Sequence, residues 1–164
     1  MPFVATRRPE TGISVREVAR EDAPLLRALL DDYLSEFARS EGVQPDLDKD
    51  GRPDYPWFER YWDEAGRLPL GFWSGRTLVG FCLVRDDGEA WQIAEFYVAP
   101  RHRRRGIGSI GVESAQARCR MLGSRHQLRA DVRRWNHEAY RFWVKHGFQP
   151  RQEDEERTVL MSPL

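Results

Sequence analysis

The sequence has little that would support a metal site or a disulfide framework. It contains two cysteines in 164 residues, Cys82 and Cys119, and neither belongs to a CxxC pair. Each lies within an apolar pattern, so we expect two buried free thiols in a reducing compartment. The four histidines show no metal-ligand spacing with the cysteines. We therefore expect no bound metal.

The sequence also lacks a long hydrophobic run. The first twelve residues, MPFVATRRPETG, have no apolar stretch of the kind that a signal peptide needs. The longest strongly apolar run, Leu78 to Val84, is far too short to span a bilayer. These absences predict a cytoplasmic protein that does not enter the membrane.

An excess of either charge is missing as well, because 26 basic and 26 acidic residues cancel. Nucleic-acid-binding domains usually carry a strong basic excess. The composition therefore disfavours that class, and only the local arginine cluster at 101–105 keeps a nucleic-acid-binding alternative open. Any positively charged site must be local.

What the sequence does contain is a mixture of strand and helix patterns around turn residues. The first half is predicted to contain a strand at 13–18, an amphipathic helix at 21–37 capped by Asp22, a loop at 40–56 and a short aromatic helix at 57–62. Strands follow at 68–73 and 77–85, joined by a turn at Ser74-Gly75, and a third strand at 90–99. The second half is predicted to contain a helix from Gly106 to Gly123, a strand at 127–132, a helix from Asn136 to Gly147 and a final strand pair from 148 onward. This order predicts one α/β domain. The inner face of the helix after Gly106 is predicted to be Gly108, Gly111, Val112, Ala115, Cys119 and Leu122.

The most informative segment runs from Ile93 to Gly108, where a strand is followed by an arginine run and a glycine-led helix. A helix N-terminus exposes unpaired N–H groups and a partial positive charge, so it attracts phosphate. Gly106 and Gly108 would remove side chains where the backbone must approach a ligand. The arginines add charge and bidentate donors. The segment suits a pyrophosphate, although neither a Walker loop nor a GxGxxG fingerprint is present.

This segment resembles the acyl-CoA-binding motif of the GCN5-related N-acetyltransferase (GNAT) superfamily. The family pattern Gln/Arg-x-x-Gly-x-Gly/Ala is matched by residues 103–108, and NHEAYRFWVKHGF at 136–148 is similar to a second family segment. The resemblance extends over nearly the whole chain and is strongest to a bacterial subgroup of predicted acetyltransferases. It implies a single-domain α/β fold over 1–164, with a mixed, mostly antiparallel sheet of six or seven strands and about four helices. Within it, 13–90 would carry the acceptor-site loop and 91–164 would bind acyl-CoA.

The resemblance also implies roles for residues along the strand and the turn. Main-chain N–H groups of the turn would bind the pyrophosphate, the strand would pair with the pantetheine arm, and the N–H of Val98 would hold the acetyl carbonyl. The cofactor-binding residues implied are Phe96, Tyr97, Val98, Arg103, Arg104, Arg105, Gly106, Ile107, Gly108, Ser109, Asn136 and Trp143.

The reaction implied is direct attack of an amine on the thioester of acetyl-CoA. Glu95 is the candidate base, although a structural glutamate is the alternative, and alternation leaves open which strand face meets the acceptor. The family often places a proton-donating tyrosine where this chain has Trp143, and indole is not a useful acid. Tyr140 could substitute. Our hypothesis is that no single general acid is required, because a thiol is a tolerable leaving group.

The loop after the first helix combines carboxylates and aromatic rings. Its opening, Asp46-x-Asp48-x-Asp50-Gly51, has calcium-loop spacing, but the twelfth position is Trp57 rather than glutamate, so we do not expect calcium. Carboxylates and aromatic faces suit a cationic amine. The candidate acceptor-binding residues are Tyr33, Glu36, Tyr55 and Trp57, and the alternative is that the aromatic residues pack the core.

The sequence thus predicts an acetyl-CoA-dependent N-acetyltransferase of a small, cationic amine. A non-catalytic acyl-CoA-binding or sensing module is the main alternative, because Trp143 replaces the usual tyrosine. We expect acetyl-CoA as co-substrate, no metal, no nucleic acid and no membrane. Both a monomer and a homodimer remain open.

Overall fold

The computed structural model describes residues 12–164. Nearly all of the N-terminal stretch that argued against a signal peptide, residues 1–11, lies outside the described residues. None of the described helices combines the length and the apolar character needed to cross a bilayer.

Seven strands and four α-helices make up the described part of the chain. The strands are β1 (Ile13–Glu17), β2 (Arg67–Ser74), β3 (Thr77–Asp86), β4 (Trp91–Val98), β5 (Gln127–Arg133), β6 (Gln149–Glu153) and β7 (Arg157–Pro163). The helices are α1 (Ala23–Ser40), α2 (Arg60–Asp63), α3 (Ile107–Leu122) and α4 (His137–Lys145). The predicted order of elements is confirmed.

All seven strands form one sheet in the order β1-β2-β3-β4-β5-β7-β6. Every neighbouring pair is antiparallel except β4 and β5, which are parallel. This confirms the predicted α/β class with a mostly antiparallel sheet. The helix α3 connects the one parallel pair, as a parallel crossover requires.

The sheet separates two apolar cores. One core packs α3 and α4 on one face and includes Phe72, Val112, Cys119 and Phe148. The other packs α1 and the segment around α2 on the opposite face, and it is rich in aromatic residues. Cys82 and Cys119 are free and buried, as predicted.

Several local predictions are confirmed and others need correction. The side chain of Asn136 accepts the N–H of Ala139 at 3.1 Å and so caps α4. Asp22 occupies the corresponding position before α1, but its side chain makes no capping hydrogen bond. The hairpin between β2 and β3 turns at Gly75 and Arg76, one residue later than predicted, because Ser74 still pairs with Thr77. On α3, Leu122 is half-exposed.

The buried face of α3 begins at Ile107, which the sequence analysis did not include. The small residues on this face of α3 allow the helix to lie close to the sheet. A Cβ at Gly111 would lie 2.3 Å from the ring of Phe72, so only glycine lets α3 pack this tightly on β2.

A β-bulge at Ala94 places the residues of β4. Leu83 pairs with Glu95 while Val84 pairs with Ile93, so Ala94 is the extra residue. Before the bulge, Trp91 and Ile93 face the α3 side of the sheet. After it, Phe96 packs on that side while Tyr97 packs on the α1 side. The bulge therefore turns Glu95 and Tyr97 toward α1.

Candidate active site

A cleft opens where β4 and β5 separate. Their parallel pairing ends at Ile93 and Ala130, and beyond this point the two strands diverge. The resulting cavity has a volume of about 550 Å³. Its walls come from β4, β5, α1 and α4, and include Phe37, Glu95, Phe96, Asn136, Phe142 and Trp143. A cleft of this size accommodates an extended small-molecule arm.

The main chain of β4 presents hydrogen-bonding groups to this cleft. The N–H of Ala99 donates to the carbonyl of Val79 at 2.9 Å, so this pair is hydrogen-bonded in the ladder. Antiparallel ladders alternate. The pairs Tyr97–Phe81 and Glu95–Leu83 then point their N–H and C=O groups at β3. Those of Phe96 and Val98 point away from β3, and Phe96 lines the cleft.

The turn before α3 holds two residues with a positive backbone φ. Gly106 precedes the helix with a φ of 78°, and a Cβ added there would meet open space. Conformation rather than crowding therefore requires glycine at this position. Arg104 has a φ of 62°, which is rare for a residue with a side chain. The turn aims the unpaired N–H groups of the first turn of α3 outward.

Gly108 also makes room for packing, in addition to the approach of a ligand that we expected. A Cβ at this position would lie 3.2 Å from the ring of Phe142 and 3.7 Å from that of Phe96. Its absence lets the start of α3 pack against α4 and β4 at the mouth of the cleft. Packing between elements is therefore sufficient to explain this glycine.

The side chain of Arg103 is bonded to other groups of the protein. Its Nη2 donates to both carboxylate oxygens of Glu36, at 2.9 and 3.0 Å. Its Nε donates to the carbonyl of Val98 at 2.8 Å. All three expected phosphate-binding arginines are exposed, but Arg103 is held by these hydrogen bonds, and Arg104 lies 4.0 Å from Glu138. Arg103 instead fastens the end of β4 to α1.

Tyr97 and Glu36 lie away from the places that the sequence analysis gave them. Tyr97 is buried on the α1 side, and its hydroxyl donates to Glu36 at 3.3 Å. Its ring and its main-chain groups both point away from the cleft, because the bulge sets this register. Glu36 is held by Arg103 and Tyr97 and does not line the acceptor-side cavity described below.

The second family-like segment contributes packing more than acid–base chemistry. Trp143 is buried and lines the cleft together with Asn136. Tyr140 packs against the α3-side core and is not among the described residues that line the cleft. The hydroxyl of Ser109 lies 3.1 Å from Nε2 of His146. Burial lowers the pKa of that histidine.

A smaller cavity of about 250 Å³ lies on the α1 side of β4. It is lined by Tyr55, Trp57, Tyr61, Arg67, Arg85, Gln92, Ala94 and Glu95. Trp57 is half-exposed and forms part of its rim. Glu95 and Ala94 line both cavities, so the bulge is the point where they meet.

The carboxyl group of Glu95 is tuned by its surroundings. Burial raises its pKa to about 7, while the hydroxyls of Tyr33 and Tyr55 and the charge of Arg85 act in the opposite direction. The side chain keeps a small exposed fraction because it opens on two cavities. A carboxyl with this pKa exchanges protons readily at neutral pH. Its position between the cavities fits a proton acceptor.

A sequence profile of the Acetyltransferase (GNAT) family matches residues 26–148, which is most of the chain. The chain belongs to the GNAT acetyltransferase family. This makes it an acetyl-CoA-dependent acetyltransferase, and it confirms the resemblance seen in the sequence. A search of curated proteins found no match.

Solved structures share the fold of this GNAT chain. The PaiA N-acetyltransferase of Thermoplasma acidophilum, solved in complex with coenzyme A, is 18% identical with a TM-score of 0.72, over 93% of this chain and 99% of that one. An acetyltransferase of Thermus thermophilus is 19% identical with a TM-score of 0.73, over 93% and 97%. A GNAT-family acetyltransferase of Staphylococcus aureus is 15% identical with a TM-score of 0.73, over 93% and 99%. At these identities the likeness establishes the fold alone.

The acidic loop of this GNAT chain contacts α1 through one of its carboxylates. Asp48 pairs with Arg27 at 3.3 Å, and its Oδ1 also accepts the N–H groups of Asp50 and Arg52. Asp31 pairs with both Arg27 and Arg52. Among the described residues, no group of three or more potential ligands is arranged to hold a metal ion. Asp48 thus ties the loop to α1, while Asp46, Asp50 and Asp54 are exposed.

Sequence reasoning missed the arginines and the cleft of this GNAT chain. Arg67 and Arg85 lie on different strands, and only the register of β2 and β3 brings them together. The bulge did leave a signal, because the apolar residues Trp91 and Ile93 are followed by Phe96 and Val98 on the alternate parity. A shift of parity within one strand is the pattern that a bulge produces.

Proposed function

We propose that this chain transfers the acetyl group of acetyl-CoA to the amine of a small acceptor by direct attack, with Glu95 as the proton acceptor. The observation that carries the proposal is the place of Glu95 at the junction of the cleft and the smaller cavity. An amine held in the smaller cavity meets a thioester held in the cleft at this carboxylate. The acetyl-CoA supplies an activated acyl group with a thiol leaving group.

The residues of the cleft fit acetyl-CoA. The main-chain groups of Phe96 and the N–H of Val98, which point away from β3, suit an amide-bearing arm. The first turn of α3 beside the exposed Arg104 and Arg105 suits a pyrophosphate. The N–H of Val98 is proposed to polarise the acetyl carbonyl, a contact worth roughly 3–4 kcal/mol in other enzymes. In this division, residues 91–164 bind the acyl donor and 13–90 supply most of the acceptor cavity.

Direct attack is favoured by what lines the cleft. No cysteine or serine is among the described lining residues that could accept the acetyl group first. Burial raises the pKa of both Cys82 and Cys119, which makes them poor nucleophiles. Glu95 would receive the proton of the ammonium acceptor. The departing thiolate is proposed to take its proton from solvent, because Trp143 offers no acidic group and Tyr140 lies away from the cleft.

Release of free thiol from acetyl-CoA in the presence of an amine panel tests this function. We expect amine-dependent release with intersecting initial-rate lines, and a fall of roughly 10²–10⁴-fold for Glu95→Gln. Glu155→Gln, which changes an exposed glutamate in the turn between β6 and β7, is the matched control and should behave as the parent. Parallel rate lines with an acetylated protein in mass spectra would contradict direct attack. Coenzyme A binding without any thiol release would favour the sensing alternative.

A further inference from the structure

The smaller cavity contains two arginines that lie opposite each other on neighbouring strands. Arg67 on β2 is the direct partner of Arg85 on β3, and both line the cavity. Like charges placed directly opposite on neighbouring strands repel each other. Such a pair calls for a negative group nearby.

The protein compensates one of these charges directly and leaves the other without a close anion. Arg67 donates to Glu64 at 3.0 Å and lies over the ring of Tyr61. Arg85 donates at 2.6 Å to Gln92, a neutral amide. Within residues 12–164, no carboxylate lies within 4 Å of the Arg85 guanidinium. The carboxylate of Glu95 acts on it from farther away.

Arg85 also lines a neighbouring cavity together with Asp87, Glu89 and Asp131. Asp87 pairs with Arg129 at 3.6 Å, and Asp131 pairs with Arg157 at 3.0 Å. The partly buried guanidinium of Arg85 therefore keeps donors for a ligand in the acceptor-side cavity.

A second feature of the cavity is an unused hydroxyl. Tyr61 is only 3% exposed, and its hydroxyl finds no hydrogen-bond partner within the described structure. Tyr55 and Arg67 influence its pKa from nearby, but neither reaches hydrogen-bonding geometry. A buried hydroxyl without a partner costs stability, and a ligand oxygen in the cavity would satisfy it.

We infer that the acceptor is a small amine that also carries a carboxylate, an α-amino acid or a close analogue, with its carboxylate held by Arg85, Arg67 and Tyr61. The inference rests on the proposed function and names its substrate class. The ammonium group of the acceptor lies toward Glu95, and the carboxylate beside it lies toward the arginines that line the same cavity. This recognition does not involve the acidic loop, whose Asp48 is already paired with Arg27.

The test compares matched acceptors in the thiol-release assay. Each amino acid of a panel is paired with its decarboxylated amine and its carboxamide, for example phenylalanine with phenethylamine and phenylalaninamide. We expect kcat/KM to favour the carboxylate form by about tenfold to a hundredfold, the value of a charge-assisted hydrogen bond. Turnover of amines without that preference overturns the inference and leaves the transferase proposal standing. No thiol release with any acceptor overturns both.

Two variants assign the preference to this cavity. Arg85→Gln also perturbs Glu95 and slows the reaction with every acceptor. The informative quantity is therefore the ratio of kcat/KM for the amino acid to kcat/KM for its decarboxylated amine or carboxamide. We expect this ratio to fall toward one. Tyr61→Phe removes only the unpartnered hydroxyl and should lower the ratio severalfold without loss of fold. Arg76→Gln, an exposed arginine of the β2–β3 hairpin, should leave it unchanged. A ratio that persists in Arg85→Gln, with near-native circular dichroism, contradicts the assignment.

Discussion

At the scale of single residues, Glu95, the proposed proton acceptor, also carries a cost to stability. Burial raises its pKa to about 7 from the ordinary 4.5. Between these values the native state binds a proton that the unfolded chain has lost. The contribution of Glu95 to stability therefore falls as pH rises from about 4.5 to about 7 and stays level above this range.

This linkage predicts the behaviour of Glu95→Gln in denaturant. Relative to the parent, the variant should gain on the order of 2–3 kcal/mol of unfolding free energy between pH 4.5 and pH 8. Urea titrations at both pH values measure it, and any pH-independent effect of the amide cancels in the difference. Glu155→Gln should show no such gain. If the unfolding free energy of Glu95→Gln relative to the parent were the same at both pH values, the pKa of the Glu95 carboxyl would not be raised by folding.

At the scale of elements, the turn that begins α3 combines unusual backbone with anion-binding capacity. Gly106 and Gly75 share a positive φ and open space at the Cβ position, but only Gly106 precedes the proposed pyrophosphate site. Substitution at these two glycines therefore distinguishes the effect of backbone strain from an effect on ligand binding.

Alanine at either glycine should cost about 1 kcal/mol of stability, because a side chain is strained at positive φ. Only Gly106→Ala should also weaken coenzyme A, by about tenfold or more, because the relaxed turn redirects the N–H groups of α3. Isothermal calorimetry with coenzyme A measures the affinity, and thermal unfolding measures the strain. Equal affinity in the two variants would place the pyrophosphate elsewhere.

The ladder of β4 predicts an alternating pattern of amide exchange. In the free protein, the amides of Phe96 and Val98 should exchange faster than those of Glu95 and Tyr97, which donate to β3. Saturating coenzyme A should slow the amides at 96 and 98 and change the others little. Residue-resolved exchange by NMR provides the measurement. Uniform protection along the strand in the free protein would contradict the orientation derived from the ladder.

At the scale of the whole molecule, the sequence was informative wherever contacts are local. Helix caps and turns such as Asn136 and Gly123, the alternation of β1 and the order of elements follow from short-range patterns. Gly106 was assigned correctly to a turn before a helix. These features depend on neighbours within a few residues.

Features set by long-range register were not accessible in the same way. The opposition of Arg67 and Arg85 depends on how β2 pairs with β3. The ion pair between Arg103 and Glu36, which occupies two expected ligand-binding side chains, forms because α1 lies close to the end of β4. The ion pair between Asp48 in the acidic loop and Arg27 on α1 is likewise set in three dimensions, and the sequence analysis could not include it.

Because the cleft joins both halves of the sheet, its occupation should stabilise the entire fold. Only the native protein can hold the ligand between β4 and β5, so coenzyme A at one hundred times its Kd should add about 2.7 kcal/mol. For a chain of this length, that corresponds to a rise of roughly 5–10 °C in Tm. Scanning calorimetry at several concentrations should follow this logarithmic dependence. The rise should shrink in Gly106→Ala but persist in Arg85→Gln, since that arginine belongs to the acceptor cavity. A Tm that is independent of coenzyme A would contradict the assignment of the cleft.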